Sequence, residues 1–164
     1  MHKKILLLLV LPLLLLTACN KSSSSYTCNY KAPTAVASAT EIASLKAYLD
    51  SNSITYTAHP SGIFYHITEQ GSGTVTPVVC SYVTVKYMGR LLTTTTPFDQ
   101  NTTGTTFQLG QLIEGWKYGI PLIKPGGSIT LYIPPSLGYG ASGSGQAIPP
   151  NSNLVFTIEL LEVQ

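Results

Sequence analysis

Six aromatic side chains and one carboxylate in the second half of the chain have the types and spacing to form a site. Turn residues separate the aromatics, and Asp99 directly follows one of them. A pocket of aromatic side chains excludes water and binds apolar groups. The same residues could instead form an ordinary hydrophobic core, and spacing alone leaves both interpretations open. The six aromatics are Tyr87, Phe98, Phe107, Trp116, Tyr139 and Phe156.

Other kinds of active site have little support in the sequence. Residues 138–143 (GYGASG) match a dinucleotide-binding glycine pattern, but Pro149 and Pro150 follow where a helix would have to run. His59 and His66 lack the spacing of metal ligands, and no CxxC pair offers zinc or redox chemistry. No GxSxG motif marks a nucleophilic serine. We therefore expect no metal and no cofactor.

The N-terminus is typical of an exported lipoprotein. A basic segment at 2–4 precedes a leucine-rich run at 5–16, which is too short for a bilayer span of about 20 residues and predicts a secretory signal. Residues 16–19 (LTAC) resemble the bacterial lipobox, in which the cysteine is lipidated and the leader, here 1–18, is removed. The alternative is an ordinary signal peptide with a chance cysteine at Cys19.

The residues after Cys19 predict an anchored, extracytoplasmic protein. We expect 19–37 to be a flexible tether, and Asn20 in place of Asp favours the periplasmic side of the outer membrane. Outside the cytoplasm, Cys28 and Cys80 are expected to form a disulfide, with two free buried thiols as the alternative. Once the leader is removed, seven basic and seven acidic residues remain, so the charge argues against nucleic-acid binding.

The rest of the chain predicts a short helical extension followed by a β-rich domain. Residues 38–62 form the extension, with Thr40 as a cap for a helix from about Glu41 to Ser51. The stretch 63–67, which ends before a Gly-Ser-Gly turn at 71–73, predicts one strand. Apolar alternation predicts antiparallel strands at 82–87, 129–133 and 154–160. One further short helix is predicted from about Glu114 to Ile120. The fold class is therefore α+β, a curved antiparallel sheet wrapped around one short helix.

Seven short motifs follow one another between residues 85 and 156. They are 85–89 (VKYMG), 98–99 (FD), 112–116 (LIEGW), 125–127 (PGG), 133–140 (IPPSLGYG), 148–151 (IPPN) and 154–156 (LVF). Together they resemble the FKBP family of peptidyl-prolyl isomerases. The resemblance implies that residues 63–164 form an isomerase domain whose site lies between the sheet and the short helix.

The resemblance also implies roles for individual residues. Trp116 would form the floor of the pocket, and Asp99 would accept a hydrogen bond from Tyr87. The Ile113 backbone N–H and the Tyr139 hydroxyl would each bind a carbonyl of the peptide. The implied catalytic residues are Tyr87, Phe98, Asp99, Trp116, Tyr139 and Phe156, and the implied substrate-binding residues are Phe107, Leu112, Ile113, Ala147 and Ile148.

Three features depart from the family pattern, and one of them is a slightly short loop from Phe98 to Phe107. Many members have an arginine after the Phe-Asp pair, but residues 100–106 contain no Arg or Lys. Asp99 would therefore rely on Tyr87 and on polar neighbours. A position often held by a larger apolar residue is Ala147, which would open one side of the pocket.

The function that the resemblance implies is isomerisation of X–Pro bonds during folding of extracytoplasmic proteins. The partners would be proline-containing polypeptides, macrolides such as rapamycin or tacrolimus would occupy the same pocket, and the protein would be monomeric. One alternative is an FKBP-fold chaperone or interaction module with little turnover. Another is a structural lipoprotein in which the motif pattern is a coincidence.

The lipobox-like motif generates a prediction about the mature N-terminus. Mass spectrometry of protein extracted from membranes should find residues 1–18 removed and Cys19 carrying lipid. Cys19→Ser should leave the domain folded but release it from membranes or block its processing. An intact leader or an unmodified Cys19 in the wild-type protein would contradict the prediction.

Overall fold

One antiparallel sheet organises the part of the chain that the computed structural model describes, residues 28–164. Cys19 and the predicted signal peptide lie outside these residues. The strand order is β1-β2-β5-β6-β3-β4, and the expected α+β fold class is confirmed. The strands are β1 (Thr57–Ala58), β2 (Phe64–Glu69), β3 (Tyr82–Leu91), β4 (Pro97–Gln108), β5 (Ser128–Ile133) and β6 (Leu154–Val163); the helices are α1 (Ala39–Ser51) and α2 (Glu114–Gly119).

The central strands are apolar on both faces of the sheet. Leu131 of β5 pairs with Phe156 of β6 on one side, which we call the inner face. Their chain neighbours Tyr132 and Val155 also pair and belong to a separate cluster. Because successive side chains in a strand point in opposite directions, this second pair lies on the outer face. Each face therefore needs its own cover.

The short helix α2 covers the inner face, and its glycines allow close contact with β5. A Cβ atom at Gly115 would collide with the side chain of Ile133, and one at Gly119 would collide with Leu131. The helix is as short as expected and continues as a 3₁₀ turn, Ile120–Leu122, that contains Pro121. This close approach places Trp116 against the sheet.

The helix of the N-terminal extension, α1, covers the outer face. Leu45 and Leu49 are fully buried in the cluster that includes Phe64, Tyr132 and Val155. The i, i+4 spacing of the two leucines puts both on one helical face. The extension is therefore packed on the sheet as a second layer.

The helix α1 begins two residues earlier than the sequence predicted, and its cap is Ser38 instead of Thr40. The Ser38 hydroxyl accepts a hydrogen bond from the Glu41 backbone N–H at 3.2 Å, while the Glu41 carboxylate accepts one from the Ser38 backbone N–H at 3.0 Å. This reciprocal arrangement is a capping box. Ser38 is the better cap because only it has a Glu three residues later.

The described part of the expected tether, residues 28–37, is held against the domain, although it contains no helix or strand. We call these residues the strap. Cys28 is joined to Cys80 by a disulfide, with Cα atoms 5.6 Å apart. The Tyr118 hydroxyl donates a hydrogen bond to the Ala35 carbonyl at 2.7 Å, and Ala37 is buried. The expectation of a flexible tether as far as residue 37 is therefore wrong for the strap.

Within residues 28–164, no helix combines the length and apolar character needed to cross a bilayer. Helix α1 packs on the outer face of the sheet and α2 on the inner face, and a cavity lies beside the contact between the inner face and α2.

The packing of α1 generates a prediction about stability. Leu45→Ala should lower the free energy of unfolding by about 2–5 kcal/mol, because it removes a buried leucine and leaves a cavity. Urea denaturation of the two proteins measures this difference. Lys46→Ala, which changes an exposed neighbour on the same helix, is the control and should cost less than about 1 kcal/mol. Equal losses from the two substitutions would show that α1 adds little to the core.

Candidate active site

A cavity of about 290 Å³ opens between the inner face of the sheet and helix α2. Side chains from β3, β4, β6 and α2 line it, together with the 3₁₀ turn before α2 and the loop after β5. The lining residues are Tyr87, Asp99, Phe107, Gln111, Leu112, Ile113, Trp116, Tyr139 and Phe156. The structure thus brings together most of the residues that the sequence singled out.

Trp116 lies at the centre of a cluster of perpendicular aromatic rings. Its ring centroid is 5.2 Å from that of Phe156, 5.4 Å from Tyr87 and 6.2 Å from Phe107. Edge-to-face contacts of this kind are favourable and hold each ring in one orientation. Only 4% of the Trp116 surface is exposed. The cavity therefore has a rigid apolar floor and walls.

The indole Nε1 of Trp116 is buried and has no hydrogen-bond partner within the described residues. A buried donor without an acceptor costs free energy. Such a group at a cavity floor favours a binding role over a purely structural one.

Asp99 and Tyr87 form a hydrogen-bonded pair at the cavity wall. The Tyr87 hydroxyl donates to Asp99 Oδ2 at 2.7 Å. Burial, then the hydrogen bond and the charge of Asp99, raise the pKa of Tyr87 to about 12. Burial and the same carboxylate also raise the pKa of Tyr139. Both phenols therefore stay protonated at neutral pH and can act as hydrogen-bond donors.

Gly89 of β3 allows two aromatic rings to meet beside the cavity wall. Gly89 pairs with Asp99 of β4 and with Phe156 of β6. A Cβ atom there would lie 2.8 Å from the Phe98 ring and 2.5 Å from the Phe156 ring. The glycine therefore allows these two rings to meet edge to face, with centroids 5.7 Å apart.

Among the described residues 28–164, no basic side chain forms an ion pair with Asp99. The ion pairs of the described residues are Lys46–Asp50, Lys86–Glu159 and Lys117–Glu114. Asp99 thus has the tyrosine partner that the resemblance implied and lacks the arginine of many relatives. Within residues 28–164, no cluster of three or more His, Cys, Asp or Glu side chains could hold a metal ion.

Three of the residues named from the resemblance do not line the cavity. Phe98 packs edge to face against Phe156, Ile148 is buried in the main core, and Ala147 is exposed. Conversely, Gln111 lines the cavity but was missed by the sequence analysis. Its position directly before Leu112 and Ile113 was the only available signal, and a polar residue there is not distinctive.

Comparison with known proteins decides the family. The family model described as FKBP-type peptidyl-prolyl cis-trans isomerase matches residues 73–161, more than half of the chain. The chain belongs to this FKBP family. All the residues that line the cavity lie within the matched region.

The relatives include bacterial and eukaryotic FKBP proteins. The probable FKBP-type isomerase FkpA of Neisseria meningitidis serogroup B is 43% identical over 105 residues, which are 63% of this chain and 38% of that protein. FK506-binding protein 1 of Dictyostelium discoideum is 42% identical over 105 residues, 61% of this chain and 96% of that protein. The chain thus spans about two fifths of the bacterial relative and nearly all of the shorter one.

Solved structures of the family share the fold. The crystal structure of FkpA from Escherichia coli has a TM-score of 0.68 at 37% identity and covers 77% of this chain and 60% of that one. An isomerase structure from Pseudomonas syringae has a TM-score of 0.67 at 29% identity, with 80% and 99% of the two chains covered. The second comparison covers nearly the whole of that solved chain.

The contact between Asp99 and Tyr87 generates a prediction about titration. Asp99→Leu should lower the pKa of Tyr87 from about 12. In the wild-type protein, the Asp99 carboxylate accepts a hydrogen bond from the protonated phenol and repels the charge of the tyrosinate. Because burial remains, the pKa should stay above its ordinary value. NMR of ring-labelled tyrosine measures this, with Tyr87→Phe to assign the signal. An unchanged titration would contradict the pairing.

The raised pKa of Tyr87 also fixes the sign of a pH effect on stability. The unfolded chain loses the proton near the ordinary tyrosine pKa of 10, whereas the folded chain keeps it to a pKa of about 12. The contribution of Tyr87 to stability is therefore complete below pH 10 and is lost as pH rises toward 12.

Proposed function

We propose that this protein accelerates cis–trans isomerisation of X–Pro bonds in polypeptides outside the cytoplasm. The observation that carries the proposal is the aromatic cavity over Trp116, with the Tyr87–Asp99 pair in its wall, in a chain of the FKBP family. The cavity volume of about 290 Å³ is at the lower limit of small-ligand sites. A proline ring with its flanking amides is a ligand of suitable size.

To accelerate isomerisation, such a site has to stabilise the twisted amide relative to the planar one. Amide resonance gives the X–Pro bond a rotation barrier of about 18–20 kcal/mol, and unaided rotation takes tens to hundreds of seconds. At the twisted transition state the resonance is lost, and the amide is less polar than in the planar form. An apolar cavity that removes water therefore favours the twisted form over the planar one. A thousandfold acceleration requires only about 4 kcal/mol of such preference.

The chemistry of the cavity fits a mechanism without proton transfer. Tyr87 and Tyr139 keep their protons because their pKa values are raised. In the proposed complex, the proline ring rests on Trp116, and the Tyr139 hydroxyl and the Ile113 backbone N–H bind carbonyls of the peptide. Asp99 holds the Tyr87 hydroxyl and places a negative charge beside the twisting amide.

The setting of the reaction is proposed from the N-terminal sequence. A lipid on Cys19 would attach the protein to a bacterial membrane, with the periplasmic side of the outer membrane favoured. The disulfide Cys28–Cys80 supports an oxidising compartment. The clients would be proline-containing polypeptides that fold there, and macrolides would compete for the same cavity. The protein would act as a monomer.

A second function, binding of unfolded chains with little turnover, has one observation in its favour. Asp99 has no basic partner in the described residues, so its carboxylate is held by Tyr87 alone. A less firmly held carboxylate would weaken catalysis more than binding, because only catalysis depends on its placement in the transition state.

The test of the proposed function is NMR exchange on a short X–Pro peptide. The wild-type protein should accelerate exchange, and Trp116→Ala should lower kcat/KM at least tenfold, about 1.4 kcal/mol or more, because the cavity loses its floor. Tyr82→Ala removes a tyrosine that is half exposed and outside the cavity, and should leave the rate unchanged. Far-ultraviolet circular dichroism and urea denaturation check that each variant is folded.

Two outcomes would change the conclusion. Wild-type rates in a folded Trp116→Ala protein would show that catalysis does not use this cavity. Binding of the peptide by the wild-type protein without acceleration of exchange would favour the second function.

A further inference from the structure

The loop at 134–152, which we call the Tyr139 loop, joins β5 to β6 and carries Tyr139 to the cavity. The loop is folded on itself by backbone hydrogen bonds. Gly138 N–H donates to Pro135 O at 3.0 Å, and Asn151 N–H donates to Gly140 O at 2.9 Å. These internal bonds shape the loop but do not fix its position on the domain.

A single side chain outside the loop, that of Glu41, attaches the loop to the rest of the domain by hydrogen bonds. Glu41 of α1 accepts from the Ser136 backbone N–H through Oε1 at 2.9 Å, and from the Ser136 hydroxyl through Oε2 at 2.8 Å. Within residues 28–164, these are the only hydrogen bonds between the Tyr139 loop and the rest of the chain. The other attachment is apolar, through the buried Pro134, Pro135, Leu137 and Ile148.

The Glu41 carboxylate is itself firmly held. It also accepts hydrogen bonds from the backbone N–H and the hydroxyl of Ser38, both at 3.0 Å. Burial alone would raise the pKa of Glu41, but the hydrogen bonds from Ser38 and Ser136 outweigh burial and lower it. The group is therefore ionised at neutral pH, and its hydrogen bonds are of the stronger, charge-assisted kind. Leu45 and Leu49 fix the helix below it.

Tyr139, in contrast, has no local support for its hydroxyl. The side chain is 36% exposed, and within the described residues its hydroxyl makes no hydrogen bond, unlike that of Tyr87. The direction of the Tyr139 hydroxyl therefore depends on where the loop is held. Ser136, the attachment point, lies only three residues before it.

We propose that Glu41 is a positioning residue for isomerisation: through Ser136 it holds the Tyr139 loop so that the Tyr139 hydroxyl meets the bound peptide. This inference rests on the proposed isomerase function. Glu41 lies outside the region matched by the family model, residues 73–161. Helix α1 thus contributes to the site from the opposite face of the sheet, without touching the substrate.

The decisive experiment combines substitutions at Glu41 and Tyr139. Glu41→Ala should lower kcat/KM about fivefold, mainly through a higher KM, because Tyr139 contributes to peptide binding. Glu41→Gln should recover much of the loss, since its amide oxygen can still accept from Ser136. In a Tyr139→Phe background, Glu41→Ala should cause little further loss, because the two residues act through one contact. Independent, additive losses would overturn the proposal.

A matched control separates positioning from helix stability. Ser38→Ala removes the cap but leaves the bonds from Glu41 to Ser136, so it should lower stability without changing KM. Amide hydrogen exchange across 136–144 reports the loop directly and should be faster in Glu41→Ala than in Ser38→Ala. Equal exchange in these two variants would also overturn the proposal.

Measurements of isomerisation and of loop hydrogen exchange together separate failure of the proposed function from failure of the positioning role. If the wild-type protein does not accelerate isomerisation, the proposed function fails, while the exchange comparison still reports whether Glu41 holds the loop. If the wild-type protein is active and neither KM nor loop exchange responds to Glu41→Ala, the function stands and the positioning role is wrong.

Discussion

The close contact between α2 and the inner face of the sheet determines where the rest of the site lies. Gly115 and Gly119 allow the helix to rest directly on Ile133 and Leu131, and this depth places Trp116 among the rings of three strands. A bulkier residue at either glycine would lift the helix and separate the tryptophan from Phe156. The cavity is the space that remains beside this contact, so its shape follows from backbone packing before any catalytic side chain is considered.

Much of the inner face could be predicted from the sequence, because its residues carry distinctive types. Aromatics, glycines and prolines are uncommon enough that their order identified the family, and the pairing of Tyr87 with Asp99 followed from that resemblance. Positions without such a signal were assigned poorly. Ala147 was expected beside the pocket but is exposed, and Gln111, whose side chain could fit many surfaces, was missed. Loop residues between prolines have no periodicity that fixes their direction.

The outer face was harder to foresee for a different reason. The spacing of Ile42, Leu45 and Leu49 predicts an amphipathic helix, but a helix pattern does not say which surface it covers. That surface appears only when β5 and β6 pair and bring Tyr132 beside Val155. The order of the strap likewise could not be predicted from its local sequence. Its few large apolar residues suggested a loose tether, whereas its order comes from a disulfide and from long-range hydrogen bonds that local composition does not encode.

The covered outer face also bears on what counts as one folding unit in this protein. The family model begins at residue 73, yet β2 lies before that point and pairs with β5 along most of its length. A protein cut to the matched region would lack an interior strand of the sheet and would turn Tyr132 and Val155 toward water. Such a contiguous apolar surface promotes association between molecules. The start of the family match therefore falls inside the sheet, and the packed unit extends back through β2 and α1.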